Sequence, residues 1–412
     1  MSIHLKMAWR NIWRNRRRSL LTMLAIAFAC ALLVFMLSFQ FGSYEAMLNS
    51  AIKIHTGYFQ IQAEGYQEKN DIRRVVPNPE AVARILDGIA QVSAYTFRAS
   101  AFALASSEDR TYGVAVSGID PAREGVVSSI KRLIREGEYL SEGDVDQALV
   151  GALLAKNLRV GIGDAITLLG QGRDGSVAAT VVTVKGIFSS GQDDFDRSAI
   201  HIPLDYFQEV FFMRGAVHTV VGLTPSLWDL SEVVKAAEKR VTALNTDRPL
   251  VVLDWKELIP GLAQAIMIDI ISALIFYMLL ILVVAFSILN TFLMAIFERT
   301  REFGVLMAMG TTKERLTRLL MAESMIMTVL GIAGGILLGG LVTLYFQKHG
   351  ISMGDSSELF RQFGISGRIY PRFTPLSAAI GPSLVLVITF LVALYPAFKV
   401  RKLRPVEALS YV

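Results

Sequence analysis

Cysteine is almost absent from this chain of 412 residues, which has a single one, Cys30. One cysteine cannot form an intrachain disulfide, so any domain outside the cytoplasm has to fold by packing alone. The five histidines show no spacing typical of metal ligands. The sequence therefore predicts no metal site.

Motifs for catalysis are also missing. No G-x-x-x-x-G-K-[ST] loop occurs, so we do not expect this chain to hydrolyse ATP or to hold a cofactor of its own. Neither a G-x-S-x-G elbow nor a paired cysteine and histidine marks a nucleophile, and no catalytic residue is predicted. These absences argue against an enzyme, and nothing in the sequence indicates a nucleic-acid partner.

Charge is absent over four long stretches of a chain that is 53% hydrophobic: 19–44, 270–297, 324–347 and 373–398. A bilayer core about 30 Å thick needs roughly 20 apolar residues in a helix. A helix also satisfies its own backbone in lipid. The sequence thus predicts a membrane α-helical protein with four transmembrane helices. Their lack of charge disfavours an ion-coupled carrier, which needs charged side chains within the membrane.

Basic residues predict the orientation. Six basic and no acidic residues precede the first span, and basic residues also follow the last one, so both termini are expected in the cytoplasm. The expected order is a cytoplasmic segment (1–18), TM1 (19–44), a large periplasmic α+β domain (45–269), TM2 (270–297), a short cytoplasmic helix (298–318), TM3 (319–347), a periplasmic loop (348–372), TM4 (373–398) and a cytoplasmic tail (399–412). The spans are therefore arranged one plus three around the inserted domain.

The segment between the first two spans mixes two hydrophobic periods. Runs rich in β-branched and aromatic residues predict strands at 58–62, 112–118, 165–169, 178–188 and 199–203. Apolar residues at three- and four-residue intervals predict helices at 79–89, 122–136, 148–158 and 230–244. Asn78 and Asp120 are the predicted caps of the first two helices.

Two groups of polar residues in this segment leave a choice of interpretation. Asp193, Asp194 and Asp196 lie in 190–197, where an exposed, solvated loop is favoured over a cation site. His201 and His218 either meet in the fold or are separate, hydrogen-bonded histidines, and the second interpretation is favoured.

The third apolar run contains Gly331, Gly335 and Gly339. A spacing of four places them on one helix face, where small residues let two helices approach closely. We expect a helix-packing face here, although the pattern does not identify its partner. The alternative is a membrane helix that merely tolerates glycine.

The segment 298–318 is amphipathic. Three apolar residues are predicted to form a stripe: Phe303, Leu306 and Met309. Three charged residues lie away from that stripe: Glu298, Arg301 and Glu302. Gly304 and Gly310 are expected to break or bend the helix. Such a helix can lie along the membrane surface or dock into a groove of a partner.

This segment resembles the E-R-x-x-E-[IF]-G-x-L-x-A-x-G signature of FtsX-like, MacB-type ABC transporter permeases. The matching residues are Glu298, Arg299, Glu302, Phe303, Gly304, Leu306, Ala308 and Gly310. The ending 404–409 is similar to the family's R-P-x-E-A-L tail, and the opening Trp9-Arg10-Asn11 also fits. Segments 118–121, 137–140 and 150–155 resemble the lipoprotein-releasing (LolC/LolE-like) branch. Met307 stands where many relatives have a basic residue.

The resemblance implies the permease subunit of an ABC export complex in the inner membrane. It implies separate cytoplasmic ATPase subunits that hold ATP and Mg²⁺, and a second permease chain, identical or paralogous. A periplasmic carrier or adaptor and membrane lipids are further partners that it suggests.

The resemblance also assigns two sets of residues. The family's signature segment couples to the ATPase, which implies a coupling site: Glu298, Arg299, Glu302, Phe303, Gly304, Leu306, Met309 and Gly310. In the lipoprotein-releasing branch, acyl chains enter between the outer halves of spans one and two, which implies a cargo cavity: Phe35, Met36, Phe39, Met267 and Ile271.

Several functions fit this build. Extraction or movement of lipoprotein or other lipid-linked cargo (lipoprotein localisation) is favoured. Export of a drug, peptide or small hydrophobic molecule is the alternative, followed by a mechanotransmitter that moves nothing across the membrane. A membrane-anchored enzyme has no catalytic residues to support it.

Overall fold

The computed structural model describes residues 3–14, 16–226, 229–244, 246–352 and 368–401. The chain forms two compact units, which we call the membrane unit (Met1–Tyr44, Ile266–Ser352 and Arg368–Val412) and the inserted domain (built on Glu45–Ala265). The family-like ending 404–409 lies outside the described residues.

Helices and strands are numbered along the chain. The helices are α1 (Ile3–Arg14), α2 (Arg16–Ala51), α3 (Tyr66–Lys69), α4 (Pro79–Asp87), α5 (Pro121–Val127), α6 (Ala152–Leu158), α7 (Asp193–Ser198), α8 (Leu204–Val210), α9 (Leu230–Val241), α10 (Trp255–Leu258), α11 (Pro260–Ala308), α12 (Lys313–His349) and α13 (Pro375–Arg401). The strands are β1 (Phe59–Ala63), β2 (Ala94–Ser106), β3 (Thr111–Ile119), β4 (Ile134–Gly137), β5 (Gln147–Gly151), β6 (Ala165–Gln171), β7 (Val177–Phe188), β8 (Ala199–Pro203), β9 (Thr219–Leu223), β10 (Leu250–Asp254), β11 (Ile351–Ser352) and β12 (Arg368–Ile369).

Four helices of the described chain, α2, α11, α12 and α13, are long and apolar enough to cross a membrane, and we call them spans one to four. They contain nearly all of the four uncharged runs. Ile26 and Leu33 of span one pack against Ile288 of span two and Val385 of span four. Near one end, the hydroxyls of Ser38 and Ser377 lie 2.9 Å apart. Span one therefore packs against its neighbours along much of its length.

The inserted domain is built on one ten-stranded sheet in the order β10-β1-β9-β2-β3-β8-β5-β7-β4, with β6 paired to β2 and β7. Its pairs are antiparallel except β3 with β8 and β5 with β7. Short helices cover the sheet, and the core includes Leu154 of α6 and Phe207 of α8. The domain thus combines a mostly antiparallel sheet with helices, in keeping with the predicted mixture.

The five predicted strands are all present within two residues of their expected ends. Two predicted helices are wrong in part. The helix expected at 122–136 ends at Val127, and a 3-10 turn and β4 follow it. The first half of the helix expected at 148–158 is β5, whose Leu149 and Val150 are fully buried. A short run buried on both faces has the same apolar pattern in a strand as in a helix.

Three further strands of the sheet, β2, β9 and β10, have no counterpart among the predicted strands. Strand β2 has 13 residues, and its inward-facing positions include Ala99, Ala101 and Ala103. Alanine is depleted in strands, so its pattern does not indicate one. These alanines belong to the buried core of the domain.

The acid-rich stretch 190–197 is not an exposed loop throughout, because α7 occupies its second half. Asp196 is only 3% exposed. Its carboxylate accepts hydrogen bonds from the backbone N–H of Ser190 at 2.9 Å and the hydroxyl of Ser189 at 3.2 Å. Asp196 therefore holds the loop before α7 in place.

His201 and His218 lie in different surroundings, and only His218 has the hydrogen bonds expected of both. Nδ1 of His218 accepts from the backbone N–H of Ser100 at 2.8 Å, and Nε2 lies 3.1 Å from the carbonyl oxygen of Ile72. His201 instead packs against aromatic rings, with its centroid 5.4 Å from that of Phe188. The prediction is therefore wrong for His201, whose ring nitrogens have no hydrogen-bond partner among the described residues.

Candidate functional site

The signature segment forms the tip of a helical hairpin. Helix α11 continues from Pro260 to Ala308, so 298–308 extends span two and is not the separate helix expected. Gly304 lies buried within this helix and does not break it. The chain reverses at Gly310, whose φ of +92° suits glycine, and α12 begins at Lys313. The tip is therefore a tight turn between two long helices.

An apolar cluster holds the two sides of the hairpin together. Ile296 and Phe303 of α11 and Leu316 of α12 are buried against one another, with Leu306 packed beside them. Met309 does not continue the predicted stripe, since it is 70% exposed. The reason is that Met309 follows the last residue of α11 and lies in the turn.

The signature acids form ion pairs with the start of the chain. A carboxylate oxygen of Glu302 lies 2.6 Å from Nη2 of Arg14, and one of Glu298 lies 2.8 Å from Nη1 of Arg18. Partial burial would raise the pKa of Glu302, but the hydrogen bonds from Arg14 and Arg299 outweigh it and lower the pKa. The acid is therefore held in its charged, paired form.

Glu323 of α12 connects a third element to this set. Its carboxylate accepts from Nδ2 of Asn11 at 2.6 Å and from Nη1 of Arg299 at 3.1 Å. Arg299 also reaches Glu302 at 3.2 Å and lies over the ring of Phe303. Glu323 is 8% exposed, so these bonds form in a mostly dry site.

We call seven residues the base network, which consists of two bonded sets: Asn11, Arg14, Arg299, Glu302 and Glu323 in one, and Arg18 with Glu298 in the other. The network joins α1, α2, α11 and α12. Four members of the network are not among the predicted site residues: Asn11, Arg14, Arg18 and Glu323. An acid directly before the uncharged run of span three was the available signal for Glu323.

The three glycines of span three lie against span one. A Cβ on Gly335 would lie 2.5 Å from Cβ of Cys30, and one on Gly339 would lie 2.8 Å from the carbonyl oxygen of Ala31. Gly331 faces Ile26 in the same way. The glycines therefore allow the backbones of spans one and three to approach closely, and the unidentified partner is span one.

The residues assigned to a cargo cavity fall into two groups. Phe35 lies with its ring centroid 6.5 Å from Phe39 and 6.0 Å from Phe346 of span three, and Met36 is half-buried beside them. Met267 and Ile271 of span two are 63% and 49% exposed. The first group thus packs between helices, while the second forms free apolar surface.

Polar contacts join spans one and two near these residues. The hydroxyl of Tyr44 donates to Asp269 at 2.6 Å, and Nε2 of Gln40 lies 3.1 Å from the same carboxylate oxygen. The hydroxyl of Tyr277 donates to Gln40 at 3.2 Å. Asp269 therefore connects two helices.

Comparison with known proteins gives two family models that match this chain. One, described as the MacB-like periplasmic core domain, matches residues 19–240. The other, described as the FtsX-like permease C-terminal domain, matches residues 274–405. The second match includes the hairpin and its ion-paired residues on α11 and α12.

Named relatives agree with these matches. The chain is 23% identical over 310 residues to the lipoprotein-releasing system transmembrane protein LolC of Xylella fastidiosa (strain 9a5c), covering 71% of this chain and 72% of that one. It is 24% identical over 433 aligned positions to the ABC transporter permease YknZ of Bacillus subtilis (strain 168), covering 99% and 98%.

Among solved structures, the extracellular domain of a YknZ transporter from Gram-positive bacteria superposes with a TM-score of 0.36 and 14% identity, covering 48% of this chain and 99% of that one. The assignment rests on the sequence models, of which the first alone spans more than half of the chain. The protein therefore belongs to the ABC transporter permeases that combine a MacB-like periplasmic core domain with an FtsX-like permease C-terminal domain.

Proposed function

We propose that this permease transmits ATP-driven motion from a separate ATPase subunit to its periplasmic domain, in an export complex of the inner membrane. The base network supports this proposal, because it ties the hairpin tip to spans one, two and three through Arg18, Arg299 and Glu323. A push on the tip is then shared by three helices and does not bend one alone. ATP and Mg²⁺ are held by the ATPase.

The contact with the ATPase is formed by the exposed residues of the tip. Val305 is 45% exposed and Met309 is 70% exposed. An unbranched methionine adapts to an apolar groove of a partner. The residues of the signature segment then have two roles. Glu298, Arg299 and Glu302 form ion pairs within the chain, and Met309 contacts the ATPase.

A charged side chain introduced at the tip of the hairpin tests this contact with the ATPase. Met309→Glu places a carboxylate in the apolar contact, so we expect at least a tenfold loss of co-purifying ATPase and of the ATP hydrolysis that depends on assembly. Met309→Leu keeps apolar bulk and serves as the matched control, which should assemble normally. Normal assembly of the Glu variant would exclude this contact.

For the cargo we propose a lipoprotein or another lipid-linked molecule. Most of the apolar surface of span two is uncovered in the single chain, including Met267 and Ile271. Acyl chains gain stability from contact with such surface. A second permease chain, identical or paralogous, would cover part of it and enclose the cargo. A drug or peptide could bind to the same kind of apolar surface, and the next experiment distinguishes such cargo from a lipoprotein.

Photoreactive residues can locate the cargo. We place them at five positions: Phe35, Met36, Phe39, Met267 and Ile271. Acylated lipoprotein should be captured at these positions and not at Val387 of span four, which is 55% exposed and serves as control. Capture of a small hydrophobic solute favours drug export, and equal labelling at Val387 removes the assignment.

A further inference from the structure

We propose that a cavity within the inserted domain binds a small oxyanion, a carboxylate or a phosphate group. The cavity has a volume of about 260 Å³ and lies among β1, β2, β3 and β9. Most of its lining is polar and includes His55, Gln60, Asn70, Arg98, Ser100 and Ser117. Sites for drug-sized ligands measure roughly 300–1,000 Å³, so this one suits a head group or a free ion.

Arg98 is the one arginine that lines the cavity among the described residues. It lies on β2 opposite Ile119 of β3 and Thr219 of β9, and it is 2% exposed. Glu124 of α5, which is fully buried, accepts from Nε at 2.9 Å and from Nη2 at 2.6 Å. The carboxylate of Glu124 therefore accepts from two of the three guanidinium nitrogens and balances the charge of the guanidinium group.

The third nitrogen is left without a partner by this ion pair. Nη1 of Arg98 is buried and has no hydrogen-bond partner among the described residues. An unpaired N–H of a buried charged group is costly, and its best partner is the oxygen of an anion. Nδ1 of His55, on the same cavity, is likewise buried and without a partner in the described part of the chain.

The remaining lining favours an anion over a cation. Among the described residues that line this cavity there is no Asp, Glu or Lys. Glu124 is not part of the lining, and both of its oxygens accept from Arg98, so the two side chains form a paired group behind the cavity. Hydroxyls of Ser100 and Ser117, 3.5 Å apart, and the amide of Asn70 supply further donors.

Aromatic rings pack against His55. The ring of His55 lies 5.6 Å from that of Phe195 and 6.3 Å from that of His201. These neighbours hold His55 in place at the rim of the buried ion pair. A ligand that accepts from Nη1 thus meets a fixed set of donors and not a flexible surface.

Calorimetric titration of the full chain in detergent tests the proposal. The probes are inorganic phosphate, acetate and glycerol 3-phosphate, each against sodium chloride of equal ionic strength. We expect saturable binding of at least one probe at one site per chain. Stronger binding of glycerol 3-phosphate than of phosphate points to a lipid head group, and the reverse order points to a free anion.

Substitutions of residues at the cavity test whether the measured binding takes place there. The double variant Arg98→Met, Glu124→Met replaces the ion pair by apolar side chains of similar length and should weaken binding at least tenfold. Arg135→Met removes an exposed arginine of β4 and should leave it unchanged. Should the double variant fail to fold, His55→Phe and Ser100→Val decide, each with an expected weakening of about fivefold. The proposal is overturned if no probe binds beyond chloride, or if binding survives in the variants.

Discussion

The side chain of Glu323 connects three helices. It lies in α12 next to a long uncharged run, yet it accepts from Asn11 of α1 and Arg299 of α11. Only 11% of its side chain is exposed, and the hydrogen bonds from both partners offset part of the cost of burying the carboxylate. The exposed pair between Glu298 and Arg18 is a useful contrast, since its carboxylate is 49% exposed.

Replacement of Glu323 by alanine should destabilise the membrane unit by about 1–3 kcal/mol, because Arg299 loses its least exposed partner. Glu298→Ala should cost only about 0–1 kcal/mol, as exposed ion pairs do. Unfolding in mixed micelles with increasing SDS measures both. Equal effects of the two substitutions would contradict the difference that burial predicts.

At the scale of elements, the contact between spans one and three depends on which side of α12 a glycine occupies. Gly335 has no room for a Cβ, which would lie 2.5 Å from Cβ of Cys30. Gly334, one residue earlier, would place its Cβ 3.7 Å from that of Ala27, an ordinary contact. Adjacent glycines in one helix thus have opposite tolerance for a side chain.

Gly335→Ala should therefore destabilise the membrane unit by about 1–3 kcal/mol through overpacking. Gly334→Ala is the matched control and should be neutral or stabilising, since alanine favours helix over glycine by about 1 kcal/mol. The same SDS titration measures both variants. Similar losses for the two would mean that the close approach of spans one and three is not what Gly335 serves.

At the scale of the whole molecule, the two units are stabilised differently. The membrane unit consists of long apolar helices with its ion pairs concentrated in the base network. The inserted domain instead buries polar and charged groups on and around its sheet, among them Arg98, Glu124, His201 and His218. Desolvation lowers the pKa of His201 and of His218 to about 4. The stability of this domain therefore depends on pH.

The sign of that dependence follows from the histidines. In the unfolded chain their pKa is about 6.5, so the unfolded state binds protons first as the pH falls. The contribution of the two histidines to the free energy of unfolding is complete above pH 6.5. It should decrease between pH 6.5 and about 4, by about 1.4 kcal/mol per pH unit for each histidine. The urea midpoint of the β-sheet signal in circular dichroism measures this slope. His201→Gln and His218→Gln should each reduce it, and an unchanged slope in both would contradict the assignment.

The sequence by itself determined the apolar helices, the family and five strands of the ten-stranded sheet, because hydrophobic length, alternation and the signature are local properties of the chain. It did not determine β2, where alanines conceal a central strand, or the end of α5 at Val127. In both places the packing of the sheet overrode the local preference.

Only the tertiary structure decided what the signature residues contact. Arg14 and Glu302 are 288 residues apart, and Arg18 and Glu298 are 280 apart, so no spacing rule connects them. Their pairing follows from helix packing, which brings the start of the chain beside the hairpin. The same packing buries Phe303 and leaves Met309 exposed, and it thereby separates the residues that hold the hairpin from those free to meet a partner.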